Sequence, residues 1–321
     1  MYTIDWIDGA VVLVDQTRLP GEEVYLRLAT VDGLVEAIRR LRVRGAPALG
    51  VAGALGVALA AKQFEAGRER DQAVHLLRTA RPTAVNLARG VERAAALLPS
   101  FNAVLTEALR VRDEEIANSR SMAERGADLV QSLCGAAPTL LTHCNTGGLA
   151  TVVDGTALAV VFELHRRGAL GGVIASETRP LLQGARLTTW ELRRANIPHR
   201  LAVDSAGPFL MARGEVGAVI LGADRICANG DVVNKIGSYA HALGARAAGI
   251  PFICVAPEST VDLATASGAD VEIEDRGAAE VAGATAPEGT DAVNPAFDVT
   301  PAELVTAVVT DRRAFSGRAD A

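Results

Sequence analysis

The second half of the chain alternates short apolar segments with amphipathic helical patterns. From residue 139 onwards, five apolar runs recur, each followed by glycine or polar residues: TLLTH, GVIAS, RLAVD, AVILG and FICVA. Helical patterns such as GTALAVVFELHRRG and TTWELRRAN lie between them. Buried strands that alternate with helices form parallel sheets with right-handed crossovers. Residues 126–321 are therefore predicted to form an α/β domain with a doubly wound, Rossmann-like parallel sheet.

Residues 1–125 show a different pattern, which predicts a smaller and mostly helical domain with a short antiparallel sheet. The runs AVVLVD and EVYLRL flank the turn Leu19-Pro20-Gly21 and predict a β-hairpin. A helix capped by Thr30 or Asp32 is expected next. Three further helical segments follow: GVAGALGVALAA up to Lys62, a stretch that carries RPTAVNL, and a long linking helix from about Val104 to Cys134.

Three glycines in the small-residue helix, Gly50, Gly53 and Gly56, share one face. No strand precedes them and the G-x-G pair is missing, so they do not form a dinucleotide-binding fingerprint. They predict close helix packing instead. Arg44, at the start of this helix, could bind an anion at the helix amino terminus or could be a solvated surface residue.

The segment GADRICANGDVVNK, which follows the fourth predicted strand, is unusually rich in polar side chains. In open α/β sheets, ligands bind outside the carboxyl ends of the strands. We predict a polar loop here that carries Asp224 and leads to Asn234 and Lys235 at the start of a helix. An aspartate near a glycine is most often a turn former or a helix cap. The density of polar groups nevertheless favours an anionic, hydroxylated ligand.

Cys144 follows the first predicted strand, between His143 and the loop Asn145-Thr146-Gly147-Gly148. A cysteine in such a place could be a reactive thiolate or a thiol that donates a proton. Buried cysteines are, however, commonly structural. Gly147 and Gly148 ahead of a helix could provide backbone donors for a phosphate, although a Gly-Gly pair also serves simply to close a turn.

Composition and charge narrow the class of partner. The 321 residues are 49% hydrophobic and 22% charged, which is ordinary for a globular protein. A net charge of -6 without any Lys/Arg run argues against nucleic-acid binding and favours a small-molecule partner. We find no window of about 20 uncharged apolar residues and no basic signal-peptide start, and predict a cytoplasmic protein without a membrane partner. The spacing of the four cysteines predicts neither zinc nor disulfides.

Together, seven segments resemble the methylthioribose-1-phosphate isomerase family, which shares its fold with regulatory subunits of the translation initiation exchange factor. They are VRGAPALGVA, RPTAVNL, LTHCNTGGLAT, ETRPLLQGARLTTWEL, GADRICANGDVVNKIGSY, IPF with APEST, and NPAFDVTPAEL. These segments cover nearly the whole chain in order, so the match is far more specific than any single motif.

The resemblance implies an aldose–ketose isomerase of methionine salvage that converts 5-methylthioribose 1-phosphate to 5-methylthioribulose 1-phosphate. It also implies a homodimer that uses no metal and no cofactor. The catalytic pair falls on Cys144 and Asp224. The implied substrate-binding residues are Arg44, Gly45, Ala46, Arg81, Gln183, Asn234 and Lys235. The loop Asn145, Thr146, Gly147 and Gly148 is a further predicted substrate contact. Relatives usually have Asn-Ala-Gly-Ala where this chain has residues 145–148, which leaves the 5-substituent of the substrate open.

The residue types suit this chemistry. The anomeric oxygen of an aldose 1-phosphate is esterified, so the ring must open by proton transfer to the ring oxygen. Asp224 has apolar neighbours in the sequence and is predicted to be desolvated, which favours a protonated carboxyl group. The second step is either proton transfer through an enediol-like intermediate, with Cys144 and Asp224 as acid/base groups, or a hydride shift that Cys144 assists.

Two alternatives stay open at this point. The substrate could be 5-deoxyribose 1-phosphate, another 5-substituted 5-deoxyribose 1-phosphate, or ribose 1,5-bisphosphate. Alternatively, the chain could be a non-catalytic regulatory subunit of a translation initiation exchange factor, because a fold alone does not determine function.

Overall fold

The computed structural model describes residues 2–82, 84–283 and 286–316. The chain forms two compact units, each of which has its own core. The first contains Met1–Asn118 and Gly147–Gly155, and the second contains Ser119–Thr146 and Thr156–Ala321. The predicted division at residue 125 lies in the same long helix, α5 (Phe101–Cys134), as the observed one. The prediction places Gly147–Gly155 in the second domain, whereas this segment packs with the first unit.

The first unit begins with an antiparallel sheet, as predicted. Its strands are β1 (Ile4–Ile7), β2 (Ala10–Val14) and β3 (Tyr25–Leu28). The predicted hairpin pairs Val11 with Leu28, and β1 adds a third strand that the sequence pattern does not predict. Helix α1 (Val31–Arg39) follows, and the Thr30 side chain caps it by accepting a hydrogen bond from the Gly33 N–H.

Helices α2 (Ala46–Gln63), α3 (Arg68–Arg78) and α4 (Val85–Ala95) complete the first unit. The predicted close packing is confirmed between α2 and α4. A Cβ added to Gly90 would lie 2.0 Å from the Gly50 carbonyl oxygen, so only glycine permits this approach. Arg81 precedes α4 rather than lying within a helix, and Thr83 of the RPTAVNL segment lies outside the described residues.

Helix α2 is buried on nearly every side. Its 18 residues are long and apolar enough to cross a membrane by length and composition, although the search for about 20 uncharged apolar residues does not detect them. Most of the helix is, however, packed inside the first unit against residues of α1, α3 and α4. A core helix of a globular unit has the same length and composition.

The second unit is built on the predicted parallel sheet. Its five predicted strands are β4 (Thr139–Thr142), β5 (Gly172–Ser176), β6 (His199–Ala202), β7 (Ala218–Leu221) and β10 (Phe252–Val255). Strand β13 (Ala307–Val309) extends the sheet in parallel, and β14 (Ala314–Phe315) pairs antiparallel at its edge. The order is β14-β13-β10-β7-β4-β5-β6. The order of the strands therefore reverses between β4 and β7.

Helices cover this sheet, and a second sheet follows β7. The helices that pack on it include α6 (Ala157–Arg166), α7 (Thr189–Arg194), α8 (Ala206–Ala212) and α9 (Ser238–Ala248), while the short helix α10 (Ala279–Ala282) has no buried residue. A π-helical turn, Gly184–Thr188, leads directly into α7. The second sheet contains β8 (Arg225–Cys227), β9 (Val232–Lys235), β11 (Val261–Asp262) and β12 (Phe297–Thr300) in the order β11-β8-β9-β12.

The predicted polar loop after Asp224 is wrong, because this segment is a β-hairpin of β8 and β9. Asn229 and Gly230 form its turn, and Gly230 has a φ of +87°. An Asn-Gly pair between apolar, β-branched residues is a strong hairpin signal, and it outweighs the polar character of the segment. Asn234 and Lys235 consequently lie on a strand, and α9 begins only at Ser238.

Candidate active site

Cys144 and Asp224 follow two neighbouring strands at the point where the strand order reverses. Leu141 of β4 pairs with Val219 of β7, so the segments after these strands leave the same edge of the sheet side by side. A Cβ added to Gly222 would lie 2.9 Å from Cγ2 of Thr146, which shows how closely the two segments pack. In doubly wound sheets this reversal opens the crevice that binds ligands.

Cys144 has an unusual backbone conformation. Its φ is +60°, in the left-handed region that costs a residue with a Cβ about 1–2 kcal/mol. Two hydrogen bonds hold it there. The Cys144 N–H donates to Oγ1 of Thr178 at 2.8 Å, and Oγ1 of Thr188 donates to the Cys144 carbonyl at 2.6 Å. The residue is half-buried.

Asp224 lies at the base of the β8–β9 hairpin, where its N–H donates to the Val233 carbonyl at 2.9 Å. Burial raises the pKa of the neighbouring Cys254 thiol to about 12, and the charge of Asp224 adds to this effect. The expectation that apolar neighbours desolvate Asp224 is wrong for this structure, because the residue is exposed. Ile226 and Cys227 are buried in the hairpin, while Asp224 precedes it at the rim.

His143, which directly precedes Cys144, is buried and contacts residues that follow β9. Its Nε2 lies 2.8 Å from the Ile236 carbonyl, and its Nδ1 lies 3.4 Å from Nε2 of His241. Burial lowers the pKa of His143, and burial, with the nearby His143 ring as a smaller cause, lowers the pKa of His241 to about 3. Both rings are therefore neutral at physiological pH. Nε2 of His143 donates to the carbonyl of Ile236, which follows Lys235. This bond connects the end of β4 with the end of β9.

Asn234 and Lys235 lie at the end of β9. The buried Asn234 amide donates to Oγ of Ser238 at 2.8 Å. Nζ of Lys235 donates to the Ala296 carbonyl at 2.8 Å and lies 4.7 Å from the centre of the Phe297 ring. An ammonium group carries three donors, so Lys235 retains hydrogen-bonding capacity for an anionic ligand.

Asp298 of β12 occupies the amino terminus of α9. Its carboxylate accepts hydrogen bonds from the N–H groups of Gly237 at 2.7 Å and Tyr239 at 3.2 Å. Burial raises the pKa of Asp298 to about 6 in spite of these bonds. Because an anionic side chain already caps this helix, a substrate phosphate is not expected to bind at its amino terminus.

Gln183 is a predicted substrate residue, and its environment in the structure also indicates that it binds a ligand. It is 7% exposed, and its Oε1 has no hydrogen-bond partner among the described residues. Buried polar atoms are nearly always paired in native proteins. Gln183 directly precedes the π-helical turn, a distortion that is frequent at functional sites.

Six of the predicted substrate residues belong to the first unit: Arg44, Gly45, Ala46, Arg81, Gly147 and Gly148. Gly45 has a φ of +96°, and a Cβ there would lie 2.4 Å from the Ala150 carbonyl oxygen, so the start of α2 packs against the Gly147–Gly155 segment. Oγ1 of Thr3 donates to the Gly148 carbonyl at 2.9 Å. The α-helix expected directly after Gly148 is absent from this described segment, where one 3-10 turn, Gly148–Ala150, forms instead.

The second unit contains the remaining predicted residues: Cys144, Asn145, Thr146, Gln183, Asp224, Asn234 and Lys235. Asn145 is buried and donates to Oε1 of Glu191 at 2.7 Å.

Sequence reasoning does not identify Thr188, His241 or Asp298, because each acts through a contact more than 40 residues away along the chain. In residues 2–82, 84–283 and 286–316, no three His, Cys, Asp or Glu side chains form a group that could hold a metal ion.

Comparison with known proteins identifies the family. The Initiation factor 2 subunit family matches residues 42–316. A "probable bifunctional methylthioribose-1-phosphate isomerase/methylthioribulose-1-phosphate dehydratase" of Nocardia farcinica is 52% identical over 98% of this chain, which spans 59% of that relative's length. A 5-deoxyribose 1-phosphate isomerase of Moorella thermoacetica is 51% identical over 96% of this chain and 92% of its own length.

Solved structures agree with this comparison. The 5-methylthioribose 1-phosphate isomerase of Pyrococcus horikoshii is similar with a TM-score of 0.91 at 38% identity, over 98% of this chain and 92% of that chain. A translation initiation factor eIF-2B delta subunit from A. fulgidus is similar with a TM-score of 0.84 at 42% identity, over 98% of this chain and 96% of that chain. The chain belongs to the initiation factor 2 subunit family. Its resemblance to the methylthioribose-1-phosphate isomerases within that family is confirmed.

Proposed function

We propose that this protein is an aldose–ketose isomerase that converts 5-methylthioribose 1-phosphate to 5-methylthioribulose 1-phosphate. The observation that carries the proposal is the position of Cys144 and Asp224 after the neighbouring strands β4 and β7, at the reversal of strand order. The relatives named as isomerases of methylthioribose 1-phosphate and of 5-deoxyribose 1-phosphate support the reaction class. In this proposal, the enzyme acts in methionine salvage, in the cytoplasm, without a metal or cofactor.

The proposed roles follow from chemistry at the two strand ends. Asp224 protonates the ring oxygen, which opens the sugar ring, and Cys144 then acts at C1 and C2 as an acid/base group or as a stabiliser of a hydride shift. Gln183, Asn234 and Lys235 bind substrate oxygens in the second unit. Asn145 and Thr146 contribute through the segment that they share with Cys144. Arg44, Gly45, Ala46, Arg81, Gly147 and Gly148 are the proposed substrate contacts in the first unit.

Substrate comparison tests the proposal directly. Turnover of 5-methylthioribose 1-phosphate, 5-deoxyribose 1-phosphate, another 5-substituted analogue and ribose 1,5-bisphosphate is measured at equal concentration, with the ketose product identified by NMR. We expect the highest kcat/KM for the methylthio compound and full activity after exhaustive chelation. Activity that is lost on chelation and restored by a divalent cation would refute the metal-independent reaction.

The A. fulgidus structure favours one second candidate, a non-catalytic subunit of a translation initiation exchange factor. Such a subunit has no need for Cys144, Asp224, Gln183 and Lys235 together, and this chain contains all four. The isomerase is therefore the better proposal. Absence of turnover on all four sugar phosphates, combined with stoichiometric co-purification of a translation factor, would favour the second candidate.

We also propose a homodimer and locate its interface on the second unit. Several large apolar side chains are exposed on β6, on the connection from β6 to α8, and on α8 and α9: Leu201, Val203, Phe209, Tyr239 and Leu243. Phe209 and Val203 are 61% and 62% exposed. Helices α8 and α9 pack together, and β6 is an edge strand of the large sheet. Exposed apolar surface next to an open strand edge is typical of an interface, and a second copy of the chain is the occupant that the family resemblance implies.

Charge substitution at this face is expected to separate the dimer. In sedimentation velocity at micromolar concentration, the parent should sediment at twice the chain mass, and the double variant Phe209→Glu/Leu243→Glu should sediment as a monomer. Leu263→Glu is the control, because Leu263 is an exposed apolar residue outside this face. A monomeric parent, or a double variant that remains dimeric, would contradict this assignment.

A further inference from the structure

Two buried threonines hold the backbone of Cys144 from both sides. Thr178 accepts the hydrogen bond from the Cys144 N–H, and Thr188 donates to the Cys144 carbonyl. Both threonines are fully buried, at 0% exposure. Water therefore does not compete for either bond. Both come from the connection between β5 and α7, a segment that the proposed mechanism uses only through Gln183.

These bonds matter because Cys144 is left-handed. A residue with a Cβ leaves the left-handed region readily, since the right-handed and extended regions are more favourable. Such a change would rotate the Cα–Cβ bond relative to the strand end and would move the thiol. The two threonine hydroxyls bind both polar backbone groups of Cys144 in the left-handed state. They thereby determine the direction of the thiol.

The connection that supplies the threonines is itself held in place. Thr178 is also left-handed, with a φ of +66°, and its N–H donates to Asp204 at 2.8 Å while its hydroxyl donates to the Ser176 carbonyl at 3.0 Å. Gly184 packs against the end of β5 so tightly that a Cβ would lie 1.7 Å from the Ser176 carbonyl oxygen. These contacts fix the positions of Thr178 and Thr188, and the two threonines in turn fix the backbone of Cys144.

The same connection also carries an indication of a ligand. Gln183 stands between the two threonines in the sequence, is more than nine-tenths buried, and leaves its Oε1 unpaired among the described residues. Asn145, next to Cys144, donates to the hydroxyl of Thr188 at 3.3 Å. The connection that positions Cys144 therefore also contains a buried acceptor, Oε1 of Gln183, that can bind a hydrogen-bond donor of the substrate.

We propose that Thr178 and Thr188 are positioning residues that keep Cys144 left-handed, so that its thiol faces the reacting carbons of the substrate. This inference rests on the proposed function. The threonines contact Cys144 through its backbone, and their effect on the Cys144 thiol passes through that backbone. Thr188 also accepts a hydrogen bond from the Asn145 amide, and Oγ1 of Thr178 lies 3.5 Å from Nδ1 of His143.

Substitution by valine and by serine tests the inference. Thr178→Val and Thr188→Val keep the shape but remove the hydroxyl, and each is expected to lower kcat at least about 10-fold while KM changes less than about 3-fold, since small misplacements of a reacting group are costly. Thr178→Ser and Thr188→Ser retain the hydroxyl and should retain kcat within about 3-fold. Thr142→Val is the matched control, because Thr142 is a buried threonine of β4 whose hydroxyl has no partner among the described residues.

A second measurement does not depend on turnover. The rate of Cys144 alkylation by iodoacetamide near neutral pH is followed by peptide mass spectrometry. The valine variants release the backbone of this half-buried residue, so alkylation should accelerate at least about 5-fold, because reactivity of a thiol follows its accessibility. The serine variants and Thr142→Val should react at the parent rate. Circular dichroism confirms that each variant is folded.

The outcomes separate the two proposals. If the parent isomerises sugar phosphates but the valine variants keep their kcat, the positioning role is refuted and the proposed function stands. If no sugar phosphate is turned over but alkylation accelerates only in the valine variants, the proposed function fails and control of Cys144 by the threonines stands. An alkylation rate that is the same in all folded variants overturns the positioning role.

Discussion

Replacing Asp224 with asparagine is expected to lower kcat for 5-methylthioribose 1-phosphate by at least about 100-fold, the loss typical of a general acid/base group. Asparagine has nearly the same shape but has no proton to transfer to the ring oxygen. Substrate binding should survive, because Lys235, Gln183 and the first-unit residues are the proposed substrate contacts. Steady-state kinetics gives kcat, and isothermal titration calorimetry gives the affinity of the variant for substrate.

Asp128→Asn is the control for this experiment. Asp128 is an exposed aspartate of α5 that forms a surface ion pair with Arg167, and such pairs contribute little to stability. Its replacement should leave kcat within about 2-fold. A kcat for Asp224→Asn within a few-fold of the parent would remove Asp224 from the mechanism. Because Asp224 is exposed, its role as an acid depends on the environment that bound substrate creates around it.

Replacing Cys144 with serine is expected to cause a loss of kcat of similar size, about 100-fold or more. A hydroxyl has a much higher pKa than a thiol and is a poorer acid/base group at neutral pH. Cys134→Ser is the matched control, because Cys134 is also half-buried but lies at the end of α5. A small change in kcat together with a lower melting temperature would instead assign Cys144 a purely structural role.

Solvent deuterium distinguishes the two chemical routes in the parent enzyme. Deuterium at C1 of the product indicates an enediol-like intermediate that exchanges its proton, whereas a hydride shift carries the original hydrogen from C2 to C1. The left-handed Cys144 and the exposed Asp224 are compatible with a pair of groups that act on different atoms of the sugar.

The hydrophobic pattern determined the main elements of both units. Buried four- to five-residue runs form β4, β5, β7 and β10, because a strand covered on both faces is apolar along nearly its whole length, whereas β6 is a half-exposed edge strand. The linking helix α5, the β2–β3 hairpin and the close packing of α2 were equally predictable. These features depend on local periodicity and on glycine spacing, which are visible in the sequence itself.

Local sequence patterns give wrong predictions for segments whose environment depends on tertiary pairing. The segment after Asp224 is polar but forms the β8–β9 hairpin, and β11 and β12 complete its sheet from about 35 and 65 residues further along the chain. The return of Gly147–Gly155 to the first unit is likewise invisible in its sequence. The apolar sequence neighbours of Asp224 predict burial, yet Ile226 and Cys227 are buried in the hairpin while Asp224 stays exposed at its rim.

The fold class, the family resemblance and the candidates Cys144 and Asp224 are all predictable without coordinates, since each depends on short contiguous motifs. The contacts that hold these residues are visible only in three dimensions. The left-handed Cys144 between Thr178 and Thr188, the His143–His241 contact and the Asp298 cap on α9 each join residues from separate strands and helices. Such contacts depend on three-dimensional packing, because no local pattern records which distant hydroxyl, ring or carboxylate satisfies a buried backbone group.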